Sequence, residues 1–130
     1  MERTCGYGGL TLLLAASLAC GPGSLRVATI QLGRSLNADN SVGISTTSFK
    51  PQDTIYVALL TEGAGRGTVA VRWLYAGQVI GQGSRAVAYK GNGVTEFHLQ
   101  NARGFPAGEY AVEVSVDGQV VGVRNFRIAP

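Results

Sequence analysis

The chain has 130 residues, with 11 Lys and Arg against 8 Asp and Glu, one His and two Cys, so it holds one domain at most. At 45% hydrophobic and 15% charged residues it is neither a disordered polyelectrolyte nor a multi-span membrane protein, and its 19 Gly tilt it toward an all-β fold. The first feature in chain order is a ten-residue apolar run from Leu10 to Ala19, behind Arg3. That is about half the ~20 residues a membrane-crossing helix needs, so residues 1–19 read as an export signal rather than a permanent span.

Small residues Ser17 and Ala19 precede Cys20. Ala16-Ser17-Leu18-Ala19-Cys20 resembles the lipobox of bacterial lipoproteins, with Ser17 in place of the usual Leu and Leu18 one position later. Ser17-Leu18-Ala19 also satisfies the small-x-small rule of ordinary signal peptidase, and either cut leaves Cys20 first. Cys5 departs with the signal, so Cys20 has no disulfide partner in the mature chain, which favours acylation. The resemblance implies a diacylglyceryl thioether and an N-acyl chain such as palmitate on Cys20, the only cofactor-like group expected. Two or more acyl chains anchor stably where one does not. Gly21 after the Cys implies, by analogy with Gram-negative lipoproteins, outer-membrane localisation. Residues 20–24 then form a short tether, and 25–130 form the domain.

Residues 25–130 show no helical period; segments of five to eight residues alternate with period two between turn residues. Strands are expected over 25–32, 42–46, 54–61, 68–75, 78–82, 85–89, 94–100, 109–116 and 119–128. Setting 69–81 beside 110–122 matches six of thirteen positions, including Gly77-Gln78-Val79 with Gly118-Gln119-Val120 and Gly81 with Gly122. The repeat predicts two hairpins of one design, with tight turns at Ala76-Gly77 and Asp117-Gly118. A two-residue turn at 117–118 sets Val114 opposite Val121 and Val112 opposite Val123, all inward, with Val120 and Gly122 outward. Bringing Phe126 and Ile128 back inside then requires a β-bulge near Arg124-Asn125.

Inward positions include Ile55, Val57, Leu59, Val69, Val71, Trp73, Phe97 and Leu99. Trp73 in mid-strand, and Tyr110 after the Pro106-Ala107-Gly108 corner, resemble the buried Trp and tyrosine corner of immunoglobulin and fibronectin-III domains. With the segments 49–57 and 108–118, they resemble bacterial immunoglobulin-like lipoprotein domains of unassigned function. The resemblance implies an antiparallel β-sandwich of about 7–9 strands without a disulfide, Val57 or Leu59 and Val112 standing where antibody domains carry Cys. Trp73, Tyr110, Phe97 and Phe126 are its structural core.

Catalytic equipment is sparse. His98 points outward between Phe97 and Leu99 and has no second His or thiol with which to hold zinc, so no metal site is expected. Ser84 is expected on a turn, with no helix behind it to build a hydrolase elbow. Gly63-Ala64-Gly65-Arg66-Gly67-Thr68 reads as a loop between strands, since a phosphate cradle needs a helix start and a strand follows. Asp39, Asp53 and Asp117 are turn residues. The mature chain carries 10 basic and 7 acidic side chains without a basic run, which argues against a nucleic-acid partner.

The chain therefore reads as a non-enzyme: a lipid-anchored envelope module whose sandwich binds another protein or serves a structural role, through a sheet face or a strand edge. Its candidate face is Arg72, Leu74, Glu113, Ser115 and Val120, with Arg72 and Glu113 as a cross-strand pair. A second reading is a glycan-binding module using Tyr56, Tyr75, Tyr89 and Phe105. A third is a small hydrolase around His98.

Overall fold

The computed structural model describes residues 25–130; residues 1–19, expected to be an export signal, and 20–24, the expected Cys20 tether, lie outside the described residues. The described chain is all-β: β1 (Arg26–Gly33), β2 (Ser48–Phe49), β3 (Ile55–Glu62), β4 (Gly65–Tyr75), β5 (Gln78–Tyr89), β6 (Gly93–Leu99), β7 (Gly108–Val116) and β8 (Gln119–Ile128). They form two sheets, a three-stranded one ordered β1-β3-β6 and a five-stranded one ordered β2-β8-β7-β4-β5. All pairings are antiparallel except β2 with β8.

Alternation explains the core. Ile55, Val57 and Leu59 of β3 face Val69, Val71 and Trp73 of β4 and Val112 and Val114 of β7, and all eight are fully or almost fully buried. Burial is worth about 1.5–3 kcal/mol per large apolar side chain, enough for such a domain to fold without a disulfide. At one end the core is aromatic. Phe126 meets Trp73 and Phe49 edge-on at 6.2 and 5.5 Å and stacks on Tyr110 at 5.4 Å, while Tyr110 also stacks on Tyr75 at 4.4 Å. The expected tyrosine corner is present: the Tyr110 hydroxyl donates to the Pro106 carbonyl at 2.6 Å, and Gly108 opens β7 at a φ of 141° that L side chains rarely adopt.

Three expectations about strands are corrected. Residues 42–46 form no strand and make only isolated bridges, Leu36 to Val42 and Gly33 to Ser45. Side chains take the backbone groups of Val42 instead, its N–H donating to Gln31 Oε1 at 3.0 Å and its carbonyl accepting from Asn37 Nδ2 at 3.4 Å. The extra strand is instead β2, beside the last residues of β8. The segments 78–82 and 85–89 are one strand, because Gly83 and Ser84 pair with Val71 and Ala70 without a break. Ser84 accordingly sits in mid-strand rather than on a turn. Only Gly63 and Ala64 connect β3 to β4; the rest of 65–68 pairs with β5.

Both hairpin turns carry two residues in the left-handed region, Ala76 and Gly77 at φ 52° and 79°, Asp117 and Gly118 at 50° and 84°. A bulge does interrupt β8, but three residues nearer the turn than expected, so that Ser115 pairs with Val120 and Val114 with Gly122. Gly122, not Val121, therefore faces inward, and Val121 and Val123 are about half exposed. The reason is space: a Cβ on Gly122 would lie 2.6 Å from Ile30 Cδ1 of the opposing sheet, so this place beneath β1 admits only glycine without a shift.

Candidate functional site

The candidate face lies on the outer side of β4, β7 and β8. Pairing arranges it in rows: Leu74 beside Ala111 and Asn125, Arg72 beside Glu113 and Val123, and Ala70 beside Ser115 and Val120. Arg72 and Glu113 stand directly opposite, with Nη1 to Oε1 at 3.3 Å. Such a half-exposed pair is worth about 0–1 kcal/mol and sets charge pattern more than stability. Val120, Val121 and Val123 are 56%, 48% and 45% exposed. They give the β8 side of the face a wider apolar margin than the single Val120 expected from the sequence, because Val121 and Val123 face outward rather than inward. The missed signal was in the repeat: Ile80-Gly81 aligns with Val121-Gly122, and β5 carries its bulge at the equivalent place, between the partners of Trp73 and Leu74.

The other candidates do not converge. His98 Nδ1 lies 2.7 Å from Glu96 Oε2 and its ring is 5.5 Å from Tyr56, all on the outer side of the smaller sheet. Ser84 belongs to the larger sheet, so it does not pair with His98. The Thr68 N–H, the natural donor of a phosphate loop at 63–68, is taken by Asp117 Oδ1 at 2.9 Å. The turn acids serve their own backbone. Asp53 accepts from the Lys50 N–H, and Asp39 accepts both the N–H and hydroxyl of Ser41, whose bonds hold its carboxyl below the usual carboxylate range. Among the described residues no three metal-ligating side chains cluster.

The four aromatics considered for glycan do not form a platform. Tyr56 is on the smaller sheet, and Tyr89 is half-buried with its hydroxyl on Val94 O and Thr95 Oγ1. Tyr75 and Phe105 do share a cavity of about 290 Å³ with Ile80, Leu99 and Asn101. Phe105 is buried, though, and Tyr75 has one ring face on Tyr110 and its hydroxyl on Ala107 O at 3.1 Å. Burial, with Tyr75 alongside, pushes the Tyr110 phenol above its ordinary value. The cavity thus offers an apolar wall and few free donors.

No family model matches the chain, and no curated protein does either. Solved structures do share its fold. An immunoglobulin-like protein of Pseudomonas aeruginosa superimposes with a TM-score of 0.55 at 12% identity, covering 82% of this chain and 97% of that one. An alkylpurine DNA glycosylase of Pseudomonas fluorescens and a β-glucosidase of Erythrobacter marinus each give 0.54, at 12% and 16% identity and 82% of this chain. The chain spans only 31% and 15% of those two enzymes. At such identities the likeness concerns fold alone. The protein is an immunoglobulin-like β-sandwich.

Proposed function

We propose that the chain is a non-catalytic protein-interaction module of the bacterial cell envelope, held at the outer membrane by lipid on Cys20. The observation that carries the interaction reading is the valine patch at the β8 edge of the Arg72–Glu113 face. Three half-exposed valines beside Leu74 and one Arg–Glu pair are what a partner surface presents. His98 is bonded to Glu96, but Ser84, the nucleophile considered, lies on the other sheet, which speaks against a hydrolase reading. The scattered, half-buried aromatics likewise favour a protein partner over glycan.

The anchor is tested by the mass of the mature N-terminus and by membrane fractionation of Cys20→Ala. A diacylglyceryl mass on Cys20 and release of the variant are the expected results; an unmodified Cys20 or unchanged fractionation defeats the anchor. The face is tested by site-specific photocrosslinking in cells from Val120 and Val123, with Tyr56 as the control position. Protein adducts from the two valine sites and none from Tyr56 are expected. Glycan-array binding with no protein adduct defeats the reading in favour of a glycan module.

A further inference from the structure

The larger sheet ends on β5, a strand of 12 residues with no strand paired to its outer edge among the described residues. Long free edges invite pairing, and folded proteins usually blunt them. The other three edges here are blunted. β2 has only two residues, and β1 is interrupted between Val27 and Thr29. β6 has its outward carbonyls occupied by side chains from β5: Arg85 donates to Glu96 O at 3.0 Å and Tyr89 to Val94 O at 2.9 Å. The edge of β5 carries only its bulge near the turn and one charged residue, Arg85, whose guanidinium is turned onto Phe97 and Glu96 O rather than across the edge. From Gly81 to Tyr89 its register is unbroken, and it contains no proline.

The direction of its free groups follows from alternation. The Thr68 carbonyl accepts the Asp117 N–H on the β7 side, so residues 70, 72 and 74 bond to β7, and 69, 71 and 73 bond to β5. The β5 partners of the latter are Arg85, Gly83 and Gly81. Gln82, Ser84, Ala86 and Ala88 are left with their N–H and C=O pointing off the sheet, and all four are exposed.

Charge says what fits there. All seven acids of the described domain are engaged: Asp39 with Ser41, Asp53 with the Lys50 N–H, Glu62 with Arg26, Glu96 with His98, Glu109 with Arg127, Glu113 with Arg72, and Asp117 with Thr68. Three cations without an acidic partner among the described residues flank the unbroken half of β5. Arg66 is exposed opposite Ala88, Arg85 lies within the strand with its guanidinium 4.9 Å over Phe97, and Lys90 follows its end. A second copy of this chain would bring the same three cations against themselves. We propose that β5 accepts an extended acidic peptide of a partner protein, which adds as a sixth strand to the five-stranded sheet. Backbone bonds would supply affinity, and Arg66, Arg85 and Lys90 would supply the preference for carboxylates.

The proposal rests on the interaction-module reading but places the contact at the edge rather than on the valine face. The full chain is titrated with two synthetic octapeptides, alternating Val-Glu and alternating Val-Lys, while amide exchange is followed by NMR. The Val-Glu peptide should slow exchange at Gln82, Ser84, Ala86 and Ala88 and bind about tenfold more tightly than the Val-Lys peptide, the effect of two or three exposed ion pairs. Ala86→Pro, which removes one outward N–H and none of the bonds to β4, should abolish binding. The Arg66→Glu, Lys90→Glu double variant keeps the backbone intact and should reverse the peptide preference, so the test does not depend on the proline variant folding. Equal binding of both peptides, or none, overturns the proposal. So does protection of the same amides without peptide in a chain that sediments as a dimer, or protection by phosphatidylglycerol vesicles alone. If cellular adducts still form at Val120 and Val123 after such a result, the edge has failed and the module reading stands.

Discussion

The hairpin of β4 and β5 and the hairpin of β7 and β8 share a plan and differ in surroundings. Each has a two-residue left-handed turn, a one-residue bulge on its returning strand, and a glycine directly after that bulge. The glycines do the same work on opposite sides of the sandwich. A Cβ on Gly81 would lie 2.9 Å from Leu99 Cδ1 of β6, and one on Gly122 would lie 2.6 Å from Ile30 Cδ1 of β1. Each returning strand thus tucks beneath an outer strand of the smaller sheet, and the bulge supplies the twist that brings it there. The environments then diverge. β8 is flanked by β2, whereas β5 is left open. One plan yields a closed flank and an exposed one, and the exposed one is where a partner strand has room.

The largest break of this symmetry is in the core. Trp73 occupies the place that Val114 holds in the second hairpin, and Trp73→Ala should cost about 3–5 kcal/mol in urea unfolding, against about 1–2 for Val114→Ala. A similar loss for both would mean that the aromatic end is not the stability centre. Next come the glycines. Gly122→Val and Gly81→Val should each cost about 1–3 kcal/mol. Ile30→Ala should relieve only the former and Leu99→Ala only the latter, as double-mutant cycles can resolve. Cross-rescue, or none, would contradict the paired packing.

A smaller effect belongs to the second hairpin alone. Tyr110→Phe removes the hydroxyl bonded to Pro106 and should cost about 1 kcal/mol. Because the folded-state phenol is raised above its unfolded value, the folded protein retains a proton that the unfolded chain releases, so stability is intact below about pH 10 and falls as pH rises further. The alkaline decline should be shallower in Tyr110→Phe, as thermal melts across that range would register. The smallest change concerns the turns. Ala76 holds a left-handed φ with no side-chain bond, whereas Asp117 accepts from Thr68. Ala76→Gly should therefore stabilise by about 0.5 kcal/mol, while Asp117→Gly should destabilise.

Period-two patterning is enough to place Trp73, Val112, Val114 and Phe97 in the core, while the tyrosine corner is legible through the resemblance of the Pro-Ala-Gly-Glu-Tyr stretch to immunoglobulin-like domains. These are local signals with a direct physical reading. The position of the β8 bulge was less legible, because patterning reports that Phe126 and Ile128 must return inward without saying where the extra residue sits. Steric space beneath Ile30 decides that, and Ile30 lies 92 residues before Gly122 in the chain. β2 was illegible for a related reason: two residues carry no period, and Phe49 joins the sheet because the end of β8 is there to receive it. The candidate face was readable as Arg72 opposite Glu113, but its apolar margin depended on the misplaced bulge. The free edge depended on seeing 78–82 and 85–89 as one strand.

The parallel pairing of β2 with β8 also bears on mechanics. The described chain enters at the Arg26 end of β1 and leaves after Ile128, at opposite ends of the sandwich. A pull between those termini would load the β1–β3 ladder at one end and, at the other, draw β8 past β7 and β2 along its length. The Arg127 N–H on Thr47 O and the Ala129 N–H on Phe49 O would then bear the load together rather than one after the other. Under such a load the short clasp would add to the β1–β3 and β7–β8 ladders, and the lifetime of the folded domain under force would be set by how fast these parallel-loaded bonds yield as groups.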